Sequence, residues 1–208
     1  TPNTSSAASD VYKRQLDDLA TFHKLAHMLP AMHSSAHHIV EPMDHPISHR
    51  HLRITHSSML YSDKTFMGMT TSGQNAEDVL DMCAILFGEE YLETHAVVTG
   101  NCNGNSPLVW DETMLSAMRA FNRRNQPVLC SPFVLGGANT PASTVPTVAQ
   151  LNAEALSALA YTQVIRPGCP AIYGHYLSTV SMQSGAPMAG TPEISLMNFM
   201  IGQMARHY

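Results

Sequence analysis

The 208-residue sequence has little charge: Asp, Glu, Lys and Arg make up 13% of it, about half the quarter usual in a globular protein. Little surface is therefore set aside for ion-pair networks. Basic residues are scarcest, 11 Lys and Arg against 16 Asp and Glu for a net charge of -5. They are scattered, which excludes the phosphate-neutralising stripe of a nucleic-acid-binding protein. No apolar run approaches the roughly 20 residues that cross a bilayer, and the N-terminus has no charged segment followed by an apolar one. A soluble, cytoplasmic protein without nucleic-acid or membrane partners is expected.

The four cysteines, Cys83, Cys102, Cys130 and Cys169, form no C-x-x-C pair, so neither a zinc knuckle nor a redox couple is signalled. Reduced, structural thiols are expected. Neither G-x-G-x-x-G nor G-x-x-x-x-G-K-[ST] follows any predicted strand, which removes the nucleotide-binding reason for an open α/β sheet.

What is present is a rhythm. Residues 1–15, TPNTSSAASDVYKRQ, shift abruptly in composition and look like translated adapter sequence, so they are set aside. From residue 16 to 208, short apolar runs end in polar or Gly residues and are followed by helical periods, the βαβ pattern. The predicted strands are Ala36–Val40, Thr65–Met69, Ala96–Gly100, Val128–Pro132 and Ala171–Tyr173, each with apolar side chains on both faces, as in doubly covered parallel strands. Val79, Cys83 and Leu86 recur at helical spacing after Gly73-Gln74-Asn75, as do Met114, Met118 and Phe121 after Asp111, a good N-cap. A long helix is predicted from near Pro146 through Val148, Leu151, Ala155 and Leu159 to the Pro167-Gly168 stop. A last one opens with Thr191 as cap, Pro192 and Glu193, and carries Ile194, Met197, Ile201 and Met204 as its stripe.

Five strand-helix units suit either a doubly wound sheet or a barrel. Polar loops after nearly every strand favour the barrel, whose active face needs them. The fold class is thus α/β, a (β/α)8 TIM barrel of which about five βα units are represented, since 208 residues fall short of the roughly 250 typical of the whole.

Short motifs carry a resemblance. Ser106-Pro-Leu-Val-Trp-Asp-Glu, Gln126-Pro-Val-Leu-Cys-Ser-Pro-Phe, Gly136-Gly137-Ala138, Gln150 to Ala160, Arg166-Pro-Gly-Cys-Pro, Ile172-Tyr-Gly, Ser181-Met-Gln-Ser-Gly-Ala-Pro and Gly190-Thr-Pro-Glu follow one another in the order of the trimethylamine methyltransferase family. The similarity covers roughly residues 95–208, and 35–95 more weakly. It implies a (β/α)8 barrel that moves a methyl group from a methylated or quaternary amine, of trimethylamine or glycine betaine type, to the cobalt of a corrinoid protein. It also implies that no cofactor is held tightly by the chain, that the partner carries the corrinoid (cobalamin), and that the full-length parent is a homo-oligomer. The pyrrolysine position of methanogen members would fall beyond Tyr208, which leaves the catalytic residue unassigned.

Such chemistry needs a pocket that orients a cation, excludes water and opens toward the corrinoid. The strand ends offer Asn101, Asn103 and Asn105 after the third strand and Tyr173, His175, Tyr176 and Gln183 after the fifth. Aromatic rings hold methylammonium groups by cation–π attraction. Each has a plainer reading: Asn favours turns, a buried Tyr hydroxyl merely needs a partner, and Glu193 is a favourable helix-start carboxylate as well as a candidate partner for the substrate cation. Gly136, Gly137 and Gly185 read as loop-permitting residues. His33, His37, His38, His45, His49, His51 and His56 crowd one stretch, but helical spacing puts His49 and His56 on one face and His51 on another, so no metal site is specified. They are expected at a surface or interface, and Glu41 reads as a site carboxylate or a loop cap. Two other functions stay open: a zinc-dependent barrel methyltransferase, suggested by the histidines and cysteines, and a non-catalytic module that binds quaternary amines.

Overall fold

The computed structural model describes residues 15–35 and 39–208. Fourteen elements follow in order: α1 (Leu16–Met28), β1 (Ser34–Ser35), α2 (Ile47–Tyr61), β2 (Thr65–Gly68), α3 (Gly73–Phe87), α4 (Glu89–Thr94), β3 (Val98–Asn105), α5 (Glu112–Arg123), β4 (Val128–Gly136), α6 (Thr144–Ile165), β5 (Ala171–Tyr173), β6 (Tyr176–Val180), β7 (Pro187–Met188) and α7 (Pro192–His207).

Caps decide where several helices start. The Ser72 hydroxyl accepts from Asn75 N at 3.0 Å and the Asp111 carboxylate from Met114 N at 2.8 Å, each relieving a helix-start N–H that has no partner within the helix. Thr191 precedes α7, with Pro192 in its first turn, but the threonine side chain makes no capping bond. The long helix begins two residues before Pro146, at Thr144, and ends at Ile165 before the Pro-Gly stop.

Strands β1, β2, β3 and β4 pair in parallel in sequence order. Strand β4 then carries two further parallel partners, β5 beside Val128–Cys130 and β6 beside Phe133–Gly136, so β5 and β6 act as one strand interrupted at Gly174-His175. Short β7 runs antiparallel to β6. Each new strand is added on the same side of the last, with no reversal. Right-handed crossovers then put every helix on one face, whereas a doubly wound sheet needs a reversal to cover both. The result is a mixed α/β fold with a curled half-barrel sheet.

The packed face is apolar. Phe66, Val98, Cys102, Val128 and Cys130 meet Val79, Leu80, Cys83, Met118 and Phe121 in one cluster, and Val134 joins Val148, Leu151, Met197 and Ile201 in a second. Burial of these chains supplies the main drive to fold. The predicted stripes are buried at Val79 and Cys83, Met118 and Phe121, Val148, Leu151 and Ala155, and Ile194, Met197 and Ile201, but Leu86 is exposed and Ala76 and Leu80 take its place. All four cysteines are free and buried. Burial pushes the Cys83 and Cys130 thiols up to about 12, so both stay protonated and unreactive.

Four expectations change. Of the first predicted strand, Ala36–His38 lie outside the described residues, Ile39 and Val40 form a bend, and the strand is Ser34–Ser35. The third strand runs to Asn105, not Gly100. The fourth runs to Gly136, not Pro132. From Val98 to Gly104 β3 alternates buried residues with less buried ones, so among the described residues one face is packed and the other is uncovered. The proposed adapter stretch also lies outside the described residues except Gln15, whose N–H donates to Asp18 at 3.0 Å at the head of α1.

Candidate functional site

Because β3 extends to Asn105, the three asparagines are strand residues rather than turn residues. Strand alternation turns Asn101, Asn103 and Asn105 to the open face, in register with Leu129, Ser131 and Phe133 of β4. Phe133 is in turn paired with Tyr176 of β6. The Phe133 and Tyr176 rings stack with centroids 4.9 Å apart and planes 15° from parallel, and they are 39% and 56% exposed. A row of carboxamides thus runs into an exposed aromatic pair at the C-terminal end of the sheet.

The three carboxamides are not equivalent. Asn105 Nδ2 donates to Asp111 at 2.6 Å. Asn103 is exposed. Asn101 has its Oδ1 buried without a protein partner, while its carbonyl accepts from the Thr70 hydroxyl at 2.7 Å. A buried acceptor left unsatisfied costs ~1–3 kcal/mol, so this atom is primed for a donor.

Gln183 and Glu193 belong to a neighbouring cavity of about 410 Å³, lined also by Gly136, Gly137, Thr179 and Thr191. It begins three residues beyond the Phe133–Tyr176 pair, roughly 10 Å along the strands. Glu193 is exposed in the first turn of α7. Gly137, at φ 91°, makes the turn after β4 possible. Thr191 contributes a buried hydroxyl without a partner.

Tyr173 and His175 do not join these groups. Tyr173 pairs in register with the buried Cys130, its ring packs with the α6 and α7 cluster, and its hydroxyl donates to Asn152 of α6 at 2.8 Å. Strand alternation puts His175 on the same side. Burial lowers its pKa, and its Nδ1 has no partner. The sequence places both among residues after the fifth strand, but β6 continues that strand and parity sends them toward the helices.

The histidine stretch is dispersed. His33, His49 and His56 are exposed, and His37 and His38 lie outside the described residues. His51, expected at a surface, is buried, with Nε2 2.9 Å from the Asp78 carboxylate. Among the described residues no three His, Cys, Asp or Glu side chains converge as metal ligands. Glu41 accepts from Arg50 Nη1 at 2.8 Å, close to its own loop. A larger cavity, about 580 Å³, lies at the opposite, N-terminal end of β2, lined by Tyr61, Lys64, Phe66, Phe87 and Tyr91. None of the predicted site residues reaches it.

Ser131, Phe133 and Glu154 are not singled out by the sequence pattern. For Phe133 a signal exists: its spacing of two from Ser131 and four from Leu129 puts all three on one face once β4 is carried past Pro132. Glu154, 2% exposed, sits within a helical period where a carboxylate reads as solvated.

The family model described as trimethylamine methyltransferase matches residues 1–208. The chain belongs to this family. It is 38% identical over 197 residues to the glycine betaine methyltransferase of Desulfitobacterium hafniense (strain Y51), covering 94% of the chain and 41% of that protein. It is 28% identical over 154 residues to the proline betaine:corrinoid methyltransferase of Eubacterium limosum, 71% of the chain and 32% of the relative. It is 23% identical over 175 residues to the trimethylamine methyltransferase MttB of Desulfitobacterium hafniense (strain DSM 10664 / DCB-2), 82% and 35%. The chain therefore spans about two fifths or less of the length of these family members. Among the described residues no helix is long and apolar enough to cross a membrane.

Proposed function

We propose that this chain is part of a (β/α)8-barrel methyltransferase that moves a methyl group from a quaternary or tertiary methylated amine to the cobalt of a separate corrinoid protein. The observation that carries the proposal is the exposed Phe133–Tyr176 stack beside the asparagine row, at the strand ends where barrel enzymes hold their substrates, in a chain of this family. A quaternary ammonium has no N–H to donate and a protonated tertiary amine has one, so neutral aromatic faces suit the methyl-covered cation better than carbonyl groups.

In this reading Phe133 and Tyr176 hold the charged nitrogen, while Asn101, Asn103 and Asn105, with Ser131, present amide and hydroxyl groups to the rest of the molecule. Glu193 and Gln183 border the adjoining cavity, and the Glu193 charge attracts a cation toward the strand ends. As the C–N bond breaks, its electron pair stays on nitrogen and the positive charge is lost. A strong counter-ion at nitrogen would stabilise the starting state more than the transition state, which fits a site of neutral groups. The names of the relatives in two cases refer to betaines. They favour a betaine-type substrate for this protein.

The test uses the full-length protein with a reduced corrinoid protein and either trimethylamine or glycine betaine. Conversion of the corrinoid spectrum to its methylated form with one of them supports the proposal. No methylation with any methylated amine, although the corrinoid accepts methyl from a chemical donor, would overturn it.

A further inference from the structure

The β3–α5 loop is gripped from outside by one carboxylate. Glu154, on α6 and 2% exposed, accepts from Ser106 Oγ at 2.5 Å and Leu108 N at 2.9 Å. Gln150, one turn earlier on α6, donates to the same carboxylate at 2.8 Å. All three donors are neutral, so hydrogen bonds rather than an ion pair compensate for its burial.

The loop so held is unusual. Leu108 has φ 59°, a left-handed conformation that a residue with a branched side chain seldom adopts without support from its surroundings. One turn further along α6 from Glu154, Ser157 accepts from Trp110 Nε1 at 3.1 Å, and the indole lies so close to Gly104 that a Cβ there would meet it at 3.2 Å. The loop then closes on β3: Asn105 N donates to Val109 O at 2.8 Å, and Asn105 Nδ2 to Asp111 at 2.6 Å. The Asn105 carboxamide is thus oriented by Asp111 at the far end of the loop, whose near end Glu154 holds at Ser106 and Leu108.

We propose that Glu154 is a positioning residue for the open-face site: through Ser106 and Leu108 it sets the loop that orients Asn105 beside the Phe133–Tyr176 pair. This rests on the reading of that face as a methylated-amine site. A buried carboxylate on the helix layer would then govern affinity on the opposite side of the sheet without touching the ligand.

Trp110 is the single tryptophan of the chain, so its fluorescence in a protein carrying no other tryptophan reads the loop directly; other tryptophans of the full-length protein are replaced by phenylalanine for this purpose. Three variants of the full-length protein are compared, Glu154→Ala, Glu154→Gln and Ser106→Ala, by Trp110 emission and acrylamide quenching and by calorimetric binding of glycine betaine and tetramethylammonium. Glu154→Ala is expected to shift Trp110 emission to the red and weaken binding of at least one probe about tenfold or more, the scale of loss for a misplaced site group. Glu154→Gln, which keeps an acceptor for Leu108 N, restores most of the affinity. Ser106→Ala, which removes one bond and no buried charge, moves both readouts in the same direction by less, and it carries the test if Glu154→Ala does not fold. Altered Trp110 emission with unchanged affinity overturns the inference, as does unaltered emission. Absence of binding of both probes by the unsubstituted protein is a different failure, that of the methylated-amine reading itself, and removes the inference with it.

Discussion

Gly68 and Phe121 are fitted to each other: a Cβ on Gly68 would lie 2.9 Å from the ring carbon Cζ of Phe121, closer than real Cβ atoms come. The same ring faces Gly100, where a Cβ would meet it at 3.1 Å. Two glycines on adjacent strands therefore make the seat for one fully buried phenylalanine of α5, and this seat brings the helix onto the sheet. Gly68→Ala is expected to destabilise by ~1–3 kcal/mol through overpacking and Phe121→Ala by ~3–5 kcal/mol through the cavity it leaves. Urea titration of each variant measures both, and a neutral Gly68→Ala would refute the tight seat.

Gln126 is a second internal tie. Its Oε1 accepts from Val97 N at 2.9 Å, and its Nε2 donates to Leu92 O at 2.8 Å and His95 O at 3.0 Å, all at the entrance to β3. Gln126→Ala strands these backbone groups without partners in a fully buried position, at a cost of at least ~1–3 kcal/mol. Gln126→Glu, which cannot donate to the two carbonyls when ionised, should be no better. The unfolding midpoint of each variant decides.

His23 makes stability depend on pH. It is fully buried, with Nδ1 2.9 Å from Ser57 Oγ, and burial lowers its pKa from 6.5. The unfolded chain therefore takes up the proton first as pH falls, so the contribution is present above about 6.5 and is lost progressively below it. His175, lowered by burial as well, acts in the same sense. Thermal midpoints should fall between pH 7 and 5, and His23→Gln should flatten that slope; an equally steep slope in the variant would rule His23 out as a source.

At the proposed site, Tyr176→Ala should weaken binding of tetramethylammonium to the full-length protein by ~0.5–2 kcal/mol, roughly 2- to 30-fold, and Tyr176→Phe should keep it, because the proposed contact is with the ring face and not the hydroxyl. Tyr173→Phe, by contrast, should leave affinity unchanged, since its hydroxyl bonds Asn152 on the helix side. Calorimetry separates the two tyrosines.

The open face also bears on solubility. Ile172 and Tyr176 are 44% and 56% exposed on the sheet, and Leu196 and Phe199 are 52% and 75% exposed on α7. Residues 1–208 expressed alone should aggregate or self-associate through these surfaces. A monomeric, cooperatively melting product in light scattering and calorimetry would contradict this.

Much of the helical layer is legible in the sequence. Pro and Gly punctuation bounds α6, the Asp111 cap starts α5, and the stripe Ile194, Met197, Ile201 names the buried face of α7, because caps and helical periodicity are local properties. The short motifs from Ser106 to Glu193 likewise point to the family. Where β3 and β4 stop is not legible: Asn-rich and Pro-containing segments have poor strand propensity, and pairing of residues 101–105 with 129–133 overrides it.

Sequence by itself determined the alternation of strands and helices, the apolar stripes and the membership of a methyltransferase family. Tertiary structure alone decided which asparagines share a face with Phe133 and Tyr176, why Tyr173 and His175 turn the other way, and that Glu154 holds the loop beside them. The reason is physical: parity along a strand depends on where the strand begins and on its register with a partner far away in the chain, and burial of a carboxylate depends on donors about 46 to 48 residues distant.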